Sequence, residues 1–355
     1  MFTIRCLVQL ICLFALSING YITSDNDNAR SFTTMNQRPL YNIGHMCNSI
    51  KKTMDHIGRG ANAVEVDVTF KPDDIYLFHG YPCDCFRYCW DRELLSNYLR
   101  FVRQATTPGH PRYHPQWAIL YFDIKLKSFS NEEKREHGVR FANHMASFFF
   151  NEIPVKSTIR FIIAISYADD DDFIYGFINQ LKELGLYDSY RNFLGFDIGI
   201  EKDVDRARAI WNQLNITNVW QGEGITNCIN PIAGHQLEKL VHIRDSPMTY
   251  FSKVYRWTID LTDSLRSVLQ HQIDGVMTNH PERVLRIITR DPELSRIYRL
   301  ATIKDDPFKR IRANSRPDGR NWIPNYTSHG KVTRAIADFT DSFRYYIRDI
   351  MKSIF

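Results

Sequence analysis

The sequence predicts a single α/β domain, a (β/α)8 TIM barrel, with a C-terminal helical extension. Two observations carry this. Eight short β-branched or aromatic runs alternate with eight helical patterns from residue 38 to about residue 308, as strand–helix units around a parallel sheet do. No Gly-x-Gly-x-x-Gly turn joins a run to its helix, which disfavours a doubly wound sheet. At about 150 residues per domain the 355 residues would admit two domains. Barrels, however, commonly run to about 250 residues as one unit, and the alternation places 38–308 in one barrel.

Composition narrows the class. The chain is 44% hydrophobic, 24% charged and 13% aromatic, which excludes collagen-like, low-complexity and wholly disordered chains. Its only long apolar run is at the N-terminus, which excludes a multi-span membrane protein. The net charge of +5 suits a membrane surface but is too small and dispersed for nucleic acid, so no nucleic-acid partner is expected.

Taken in order, Met1–Arg5 carries one positive charge and Cys6–Leu16 is almost wholly apolar. Small residues follow at Ala15-Leu16-Ser17 and Ile18-Asn19-Gly20, completing the layout of a secretory signal peptide over 1–20. The apolar run is near half the roughly 20 residues a spanning helix needs. A secreted, extracellular protein is expected. Residues 21–37 are polar and form a flexible lead-in. The strand-like runs are Leu40–Gly44, Ala63–Phe70, Trp117–Lys125, Ile159–Ser166, Phe193–Ile198, Thr217–Gln221, Lys253–Asp260 and Ile273–Asn279. Helical patterns lie near 48–58, 91–104, 131–149, 171–185, 201–213, 232–244, 262–271 and 281–290.

Secretion governs the cysteines. Cys6 and Cys12 leave with the signal peptide, and Cys47, Cys83, Cys85, Cys89 and Cys228 remain. In an oxidising compartment the Cys83/Cys85/Cys89 cluster reads as disulfide half-cystines rather than a zinc knuckle. Five is odd, so one thiol is left over. Asn215-Ile-Thr217 and Asn325-Tyr-Thr327 are glycosylation sequons.

Barrel chemistry sits at the C-terminal strand ends. There the sequence offers His45, Glu65, Asp67, Asp123, Lys125, Ser166, Trp257, Asp260 and Asn279. A strand's period of two puts Glu65 and Asp67 on one face, and Asp123 ends the next long strand. Three carboxylates without a thiolate suit one Mg²⁺ ion, which prefers hard oxygen ligands and keeps water and phosphate as others. An isolated Glu-x-Asp is more often a salt-bridged cluster, and Asp123 with two nearby histidines tips the balance toward metal. His45 and His79 can serve as acid and base, although a lone histidine is more often structural. Lys125, on the face of Asp123, can neutralise a phosphate oxygen. Tyr255, Trp257 and Asp260 could form a pocket for a quaternary ammonium such as choline; on these residues alone, simple packing of the barrel top is the stronger reading.

As a set, these segments resemble the arthropod sphingomyelinase D (dermonecrotic toxin, phospholipase D) family, itself related to glycerophosphodiester phosphodiesterases. The matching segments are Arg38-Pro39-Leu40 with Gly44-His45-Met46, Gly60–Asp67, His79–Cys85, Ala105–Gly109, Phe122–Lys125, Gly224–Cys228, Val254–Asp260 and Met277–Asn279. The resemblance implies a (β/α)8 barrel with Mg²⁺ on Glu65, Asp67 and Asp123. It also implies His45 and His79 as the acid/base pair, and Lys125, Tyr255, Trp257, Asp260 and Asn279 around the phosphate and head group. It pairs Cys83 with Cys89 and Cys85 with Cys228, leaving Cys47 as the free thiol. The implied activity is release of choline or ethanolamine from sphingolipids and lysophospholipids by attack of the lipid's own hydroxyl, leaving a cyclic phosphate. The implied partner is a phospholipid at a membrane or lipoprotein surface, and a monomer is expected. Ala301–Phe308 resembles the family's C-terminal plug.

Residues 309–355 are not covered by the resemblance. This tail holds ten Lys or Arg against four Asp, so it carries more positive charge than the whole chain. Val332, Ile336, Phe339, Phe343, Ile347, Ile350 and Ile354 recur at helical steps. Such a stripe docks on the barrel or a second copy more often than on a membrane. Two other functions compete with the lyase: a glycerophosphodiester hydrolase yielding an open monoester, and a non-catalytic lipid-binding relative.

Overall fold

A computed structural model of the chain describes residues 37–81, 83, 88–150, 156–200, 203–224, 236–247 and 249–313. The expected signal peptide, most of the lead-in and the amphipathic stripe lie outside these residues. The strands are β1 (Arg38–Gly44), β2 (Ala63–Phe70), β3 (Ile75–Leu77), β4 (Glu93–Leu94), β5 (Ile119–Lys125), β6 (Arg160–Ile165), β7 (Leu194–Ile198), β8 (Trp220–Gly224), β9 (Lys253–Trp257), β10 (Gly275–Thr278) and β11 (Tyr298–Leu300). The principal helices are α1 (Ile50–Gly58), α2 (Leu95–Thr106), α3 (Asn131–Phe148), α4 (Asp171–Glu183), α5 (Tyr187–Tyr190), α6 (Val204–Leu214), α7 (Leu237–Asp245), α8 (Thr262–Leu269), α9 (Pro281–Arg290) and α10 (Leu294–Ile297).

Eight parallel strands run β7-β6-β5-β2-β1-β10-β9-β8. A parallel bridge from Phe196 in β7 to Val219, just before β8, brings the two ends together. The result is a nearly closed (β/α)8 barrel, as the alternation predicts. Apolar residues fill both layers. Val64, Val66 and Val68 of β2 face the helices, whereas Tyr41, Tyr121, Trp220 and Tyr255 pack inside the barrel.

Helix starts follow capping chemistry. Ser49 accepts from Lys52 N at the start of α1, and Ser130 with Glu133 forms a reciprocal capping box on α3. Helices α3 and α4 touch backbone to backbone because Gly138 and Gly176 face the contact. A Cβ at Gly138 would lie 2.1 Å from Phe173 O, and one at Gly176 would lie 2.1 Å from Arg135 O.

Three strands escape the sequence pattern. β3 pairs antiparallel with β2, β4 pairs with β3, and β11 runs beside the start of β1; runs of two or three residues show no periodicity. The sixth predicted run also shifts: Thr217–Gln221 is predicted, but β8 is Trp220–Gly224. Gly222 and Gly224 read as strand breakers, yet their bareness is required. A Cβ at Gly222 would lie 2.5 Å from the Tyr255 ring, and one at Gly224 would lie 1.8 Å from Trp257 O.

Residues 301–308 close the barrel at the N-terminal ends of its strands. Ala301 O accepts from Asn62 Nδ2, Pro307 O accepts from Trp220 Nε1, and the Phe308 ring fills the space beside Gly195. The next residues strap onto that face: Lys309 O and Ile311 O accept from Lys253 and Arg38, and Ala313 N donates to Asp245. No helix among the described residues is long and apolar enough to cross a membrane.

Candidate active site

A cavity of about 210 Å³ opens at the C-terminal strand ends. β2 supplies Glu65 and Asp67, β5 supplies Tyr121, Asp123 and Lys125, and β9 supplies Tyr255 and Trp257. His45 enters just after β1 and His79 just after β3, with Ser166, Gly199 and Ile200 on the loops after β6 and β7. The β2–β5 register, Asp67 opposite Asp123, sets carboxylates of two strands side by side.

Their electrostatics are strained toward a cation. Glu65, Asp67 and Asp123 each offer an oxygen within 4.8 Å of the others. Burial first, then the Asp67 and Asp123 charges, push the Glu65 carboxyl well above its usual range. One Glu65 oxygen accepts from Met46 N at 2.7 Å; the other, Oε1, is buried without a hydrogen-bond partner among the described residues. Burial acts on Asp67 in the same sense, but Lys125, His79 and Asn48 outweigh it and hold Asp67 at about 2. The Lys125 ammonium lies 2.7 Å from Asp67 and 2.6 Å from Asp123. Burial favours its neutral form, yet Asp123, Asp67 and Glu65 keep it charged well above the usual lysine range.

The orphaned Glu65 oxygen and an all-oxygen donor set show that these residues fit a hard divalent metal ion. With all three carboxylates ionised, one ammonium would leave the cluster two charges short of neutral, the charge a divalent ion would supply.

The two histidines are oriented by neighbours. Asp260 accepts from Asn279 N at 2.9 Å and from Asn279 Nδ2 at 3.1 Å. This turns the amide oxygen of Asn279 toward His45 Nδ1, 3.3 Å away, so Nδ1 carries the proton and Nε2 is the exchanging position. His79 Nδ1 stands 2.8 Å from Gly80 O, which selects the same tautomer. The structure therefore gathers His45, His79, Lys125, Tyr255 and Trp257 at the cavity, and sets Asp260 and Asn279 behind His45 rather than in the cavity wall.

Sequence reasoning missed three residues. Asn48 holds Asp67 at both ends, donating to its carboxylate and accepting from its backbone N–H; no spacing rule announces this. Tyr121 stands two residues before Asp123, so strand period could have placed it on the cavity face. Its hydroxyl, that of Tyr255 and Asp197 Oδ2 form a triangle with every side 2.7 Å. Asp197 is fully buried, and no basic side chain pairs with it among the described residues. Burial outweighs the donated hydrogen bonds and raises its carboxyl to about 6.

Cys83 and Cys89 form a disulfide, and Cys47 is a buried free thiol whose pKa burial pushes well up. Cys85, Cys228 and Asn325 lie outside the described residues. Asn215 is exposed at the C-cap of α6.

The family model of the dermonecrotic toxin SPH matches residues 35–308. The chain is 35% identical to dermonecrotic toxin LspiSicTox-betaIE1ii of Loxosceles spinulosa, over 76% of this chain and 99% of that protein. It is 36% identical to dermonecrotic toxin SpeSicTox-betaIF1 of Sicarius peruensis, over 76% of this chain and all of that protein. Among solved structures, a glycerophosphodiester phosphodiesterase from Parabacteroides distasonis is similar at a TM-score of 0.45 and 12% identity, covering 71% of this chain and 97% of that one. An Oleispira antarctica phosphodiesterase in complex with sn-glycerol-3-phosphate is similar at 0.45 and 11%, covering 69% and 95%.

Proposed function

The chain belongs to the dermonecrotic toxin SPH family, and on that basis we propose that it is a secreted, Mg²⁺-dependent phospholipase D acting on sphingolipids and lysophospholipids. The observation that carries the reading is one cavity holding three carboxylates, a lysine and two histidines of matched tautomer. This set suits a phosphodiester.

Glu65, Asp67 and Asp123 would hold the Mg²⁺, whose charge draws electron density from the phosphodiester. The residues of the chain do the rest. Lys125 adds a positive charge where the phosphoryl oxygens become more negative. One histidine Nε2 takes the proton of the lipid's own hydroxyl while the other protonates the departing oxygen of choline or ethanolamine. The bond from the hydroxyl oxygen to phosphorus forms as the bond to the head group breaks, leaving a cyclic phosphate. Tethering makes the attack intramolecular, so little positional entropy remains to be lost. Tyr255 and Trp257 present aromatic faces to a cationic head group.

The test is to incubate purified protein with sphingomyelin or lysophosphatidylcholine and measure head-group release. Release should require Mg²⁺ and fall by about 10²–10⁴-fold in His45→Ala and His79→Ala. No release with Mg²⁺ present, or full release by both variants, would sink the proposal. Phosphorus NMR then separates the lyase from a hydrolase, since an open monoester as first product replaces the first by the second.

A further inference from the structure

The N-terminal end of the barrel carries a second opening, a cleft of about 280 Å³ between the starts of the strands and residues 301–308. Thr158, Arg160 and Asn192 line it from the barrel, and Lys304, Asp305 and Asp306 line it from the closing segment. Pockets for drug-sized ligands measure roughly 300–1,000 Å³, so this one suits a compact molecule. None of these residues takes part at the catalytic end.

The cleft differs from the rest of this end in how its cations are met. Arg38 and Arg244 each face the Asp274 carboxylate at 2.6 Å. Arg160, the first residue of β6, has no carboxylate paired with it among the described residues. Its Nη1 donates to the carbonyls of Thr158 and Ile159, at 3.2 and 3.4 Å, and its guanidinium stands 4.3 Å from the centre of the Phe193 ring. These contacts fix the group without cancelling its charge. Burial works against that charge, and Asp306 offsets the effect only in part. A partly buried guanidinium met by no anion is unfavourable, and its planar fork matches oxyanion geometry. Lys304, also in the lining, is exposed and makes no ion pair among the described residues. The two carboxylates of the cleft are already engaged. Asp305 accepts from Arg299 at 2.6 and 2.8 Å and from Thr302 N at 2.8 Å, and Asp306 accepts from Phe308 N at 2.8 Å. With Arg299 counted, three cations stand against two carboxylates, which leaves one positive charge.

We propose that this cleft binds a compact oxyanion, inorganic phosphate or a phosphomonoester, between the guanidinium of Arg160 and the ammonium of Lys304. The site is independent of the phospholipase reading, and its test needs no turnover. Metal-stripped full-length protein is titrated calorimetrically at low ionic strength with inorganic phosphate and with glycerol phosphate, chloride being the control anion. Saturable binding at one site is expected, and Arg160→Gln should weaken it about tenfold or more. Lys304→Glu reverses an exposed charge and leaves the fold intact, so it keeps the test decisive if Arg160→Gln fails to fold; it should also weaken binding by about tenfold. Tighter binding of inorganic phosphate supports a site for the free ion, and tighter binding of glycerol phosphate supports one for a phosphorylated molecule. The catalytic cavity is the competing location. The double variant His45→Ala, His79→Ala should therefore bind phosphate as wild type does, and loss there places the ion in that cavity and overturns the proposal. No saturable binding of either anion, or equal binding by wild type and Lys304→Glu, also overturns it.

Discussion

At the scale of single residues, Glu65 shows what the cavity is built to receive. A buried carboxylate beside two others is unfavourable in the protein alone, and its second oxygen has no hydrogen-bond partner among the described residues. Removing that charge should therefore cost the metal-free protein little while crippling the metal site. Glu65→Gln is expected to melt in EDTA at or above the wild-type temperature and to lose the Mg²⁺-induced rise in Tm. Its Mg²⁺-dependent release should fall by about 10-fold or more. A Glu65→Gln protein that is strongly destabilised in EDTA would show that Glu65 is a structural hydrogen-bonder instead. Asp197 is the contrasting case, a buried carboxylate whose charge is shared by two phenols, which fixes Tyr255 against the cavity floor.

At the scale of elements, the end of β1 and helix α1 are joined through a histidine outside the cavity. The His56 ring fills the space where Gly44 lacks a side chain; a Cβ there would lie 2.8 Å from it. This contact fixes the strand end that delivers His45. Burial first, then Lys52 and Arg59, depress His56 to about 3. The unfolded chain, with a histidine near 6.5, takes up the proton first as pH falls. Stability from this group is thus complete above about 6.5 and declines as pH drops toward 3, by at most about 1.4 kcal/mol per pH unit. Between pH 7 and pH 4.5 the urea midpoint of wild type should fall further than that of His56→Gln. Equal falls would show that His56 does not contribute to acid sensitivity.

At the scale of the whole molecule, the end opposite the cavity is organised by Asp274. Its buried carboxylate accepts from Arg38 of β1 and Arg244 of α7, each at 2.6 Å, and from Val254 N of β9 at 2.9 Å. Lys253 stands 3.8 Å away. Arg38 and Lys253 in turn hold the carbonyls of Ile311 and Lys309, so one carboxylate anchors three strands, a helix and the strap. Asp274→Asn keeps the shape but takes the carboxylate charge from buried Arg38 and Lys253 and leaves Arg244 with Asp245 alone, which should cost about 3–5 kcal/mol in denaturant unfolding. It should also speed tryptic cleavage after Arg310 or Arg312, while head-group release per folded molecule is unchanged because the cavity lies at the other end. Unaltered stability would show that the basic cluster is neutralised elsewhere.

Periodicity made the barrel legible. Eight strands and eight helices follow from apolar spacing alone, because strand and helix repeats are local geometry. Glu65, Asp67, Asp123 and Lys125 were legible for the same reason: strand period assigns them to one face. The Gly222–Gly224 end of β8 was hidden, since nothing local says that Tyr255 and Trp257 from the next strand need that room. Tertiary packing alone decided the rest. It brought Asn48 to Asp67, closed the Tyr121–Tyr255–Asp197 triangle across three strands, and set Asp260 behind Asn279 so that His45 presents Nε2. These contacts join residues far apart in the chain, and only folding brings them within hydrogen-bonding distance.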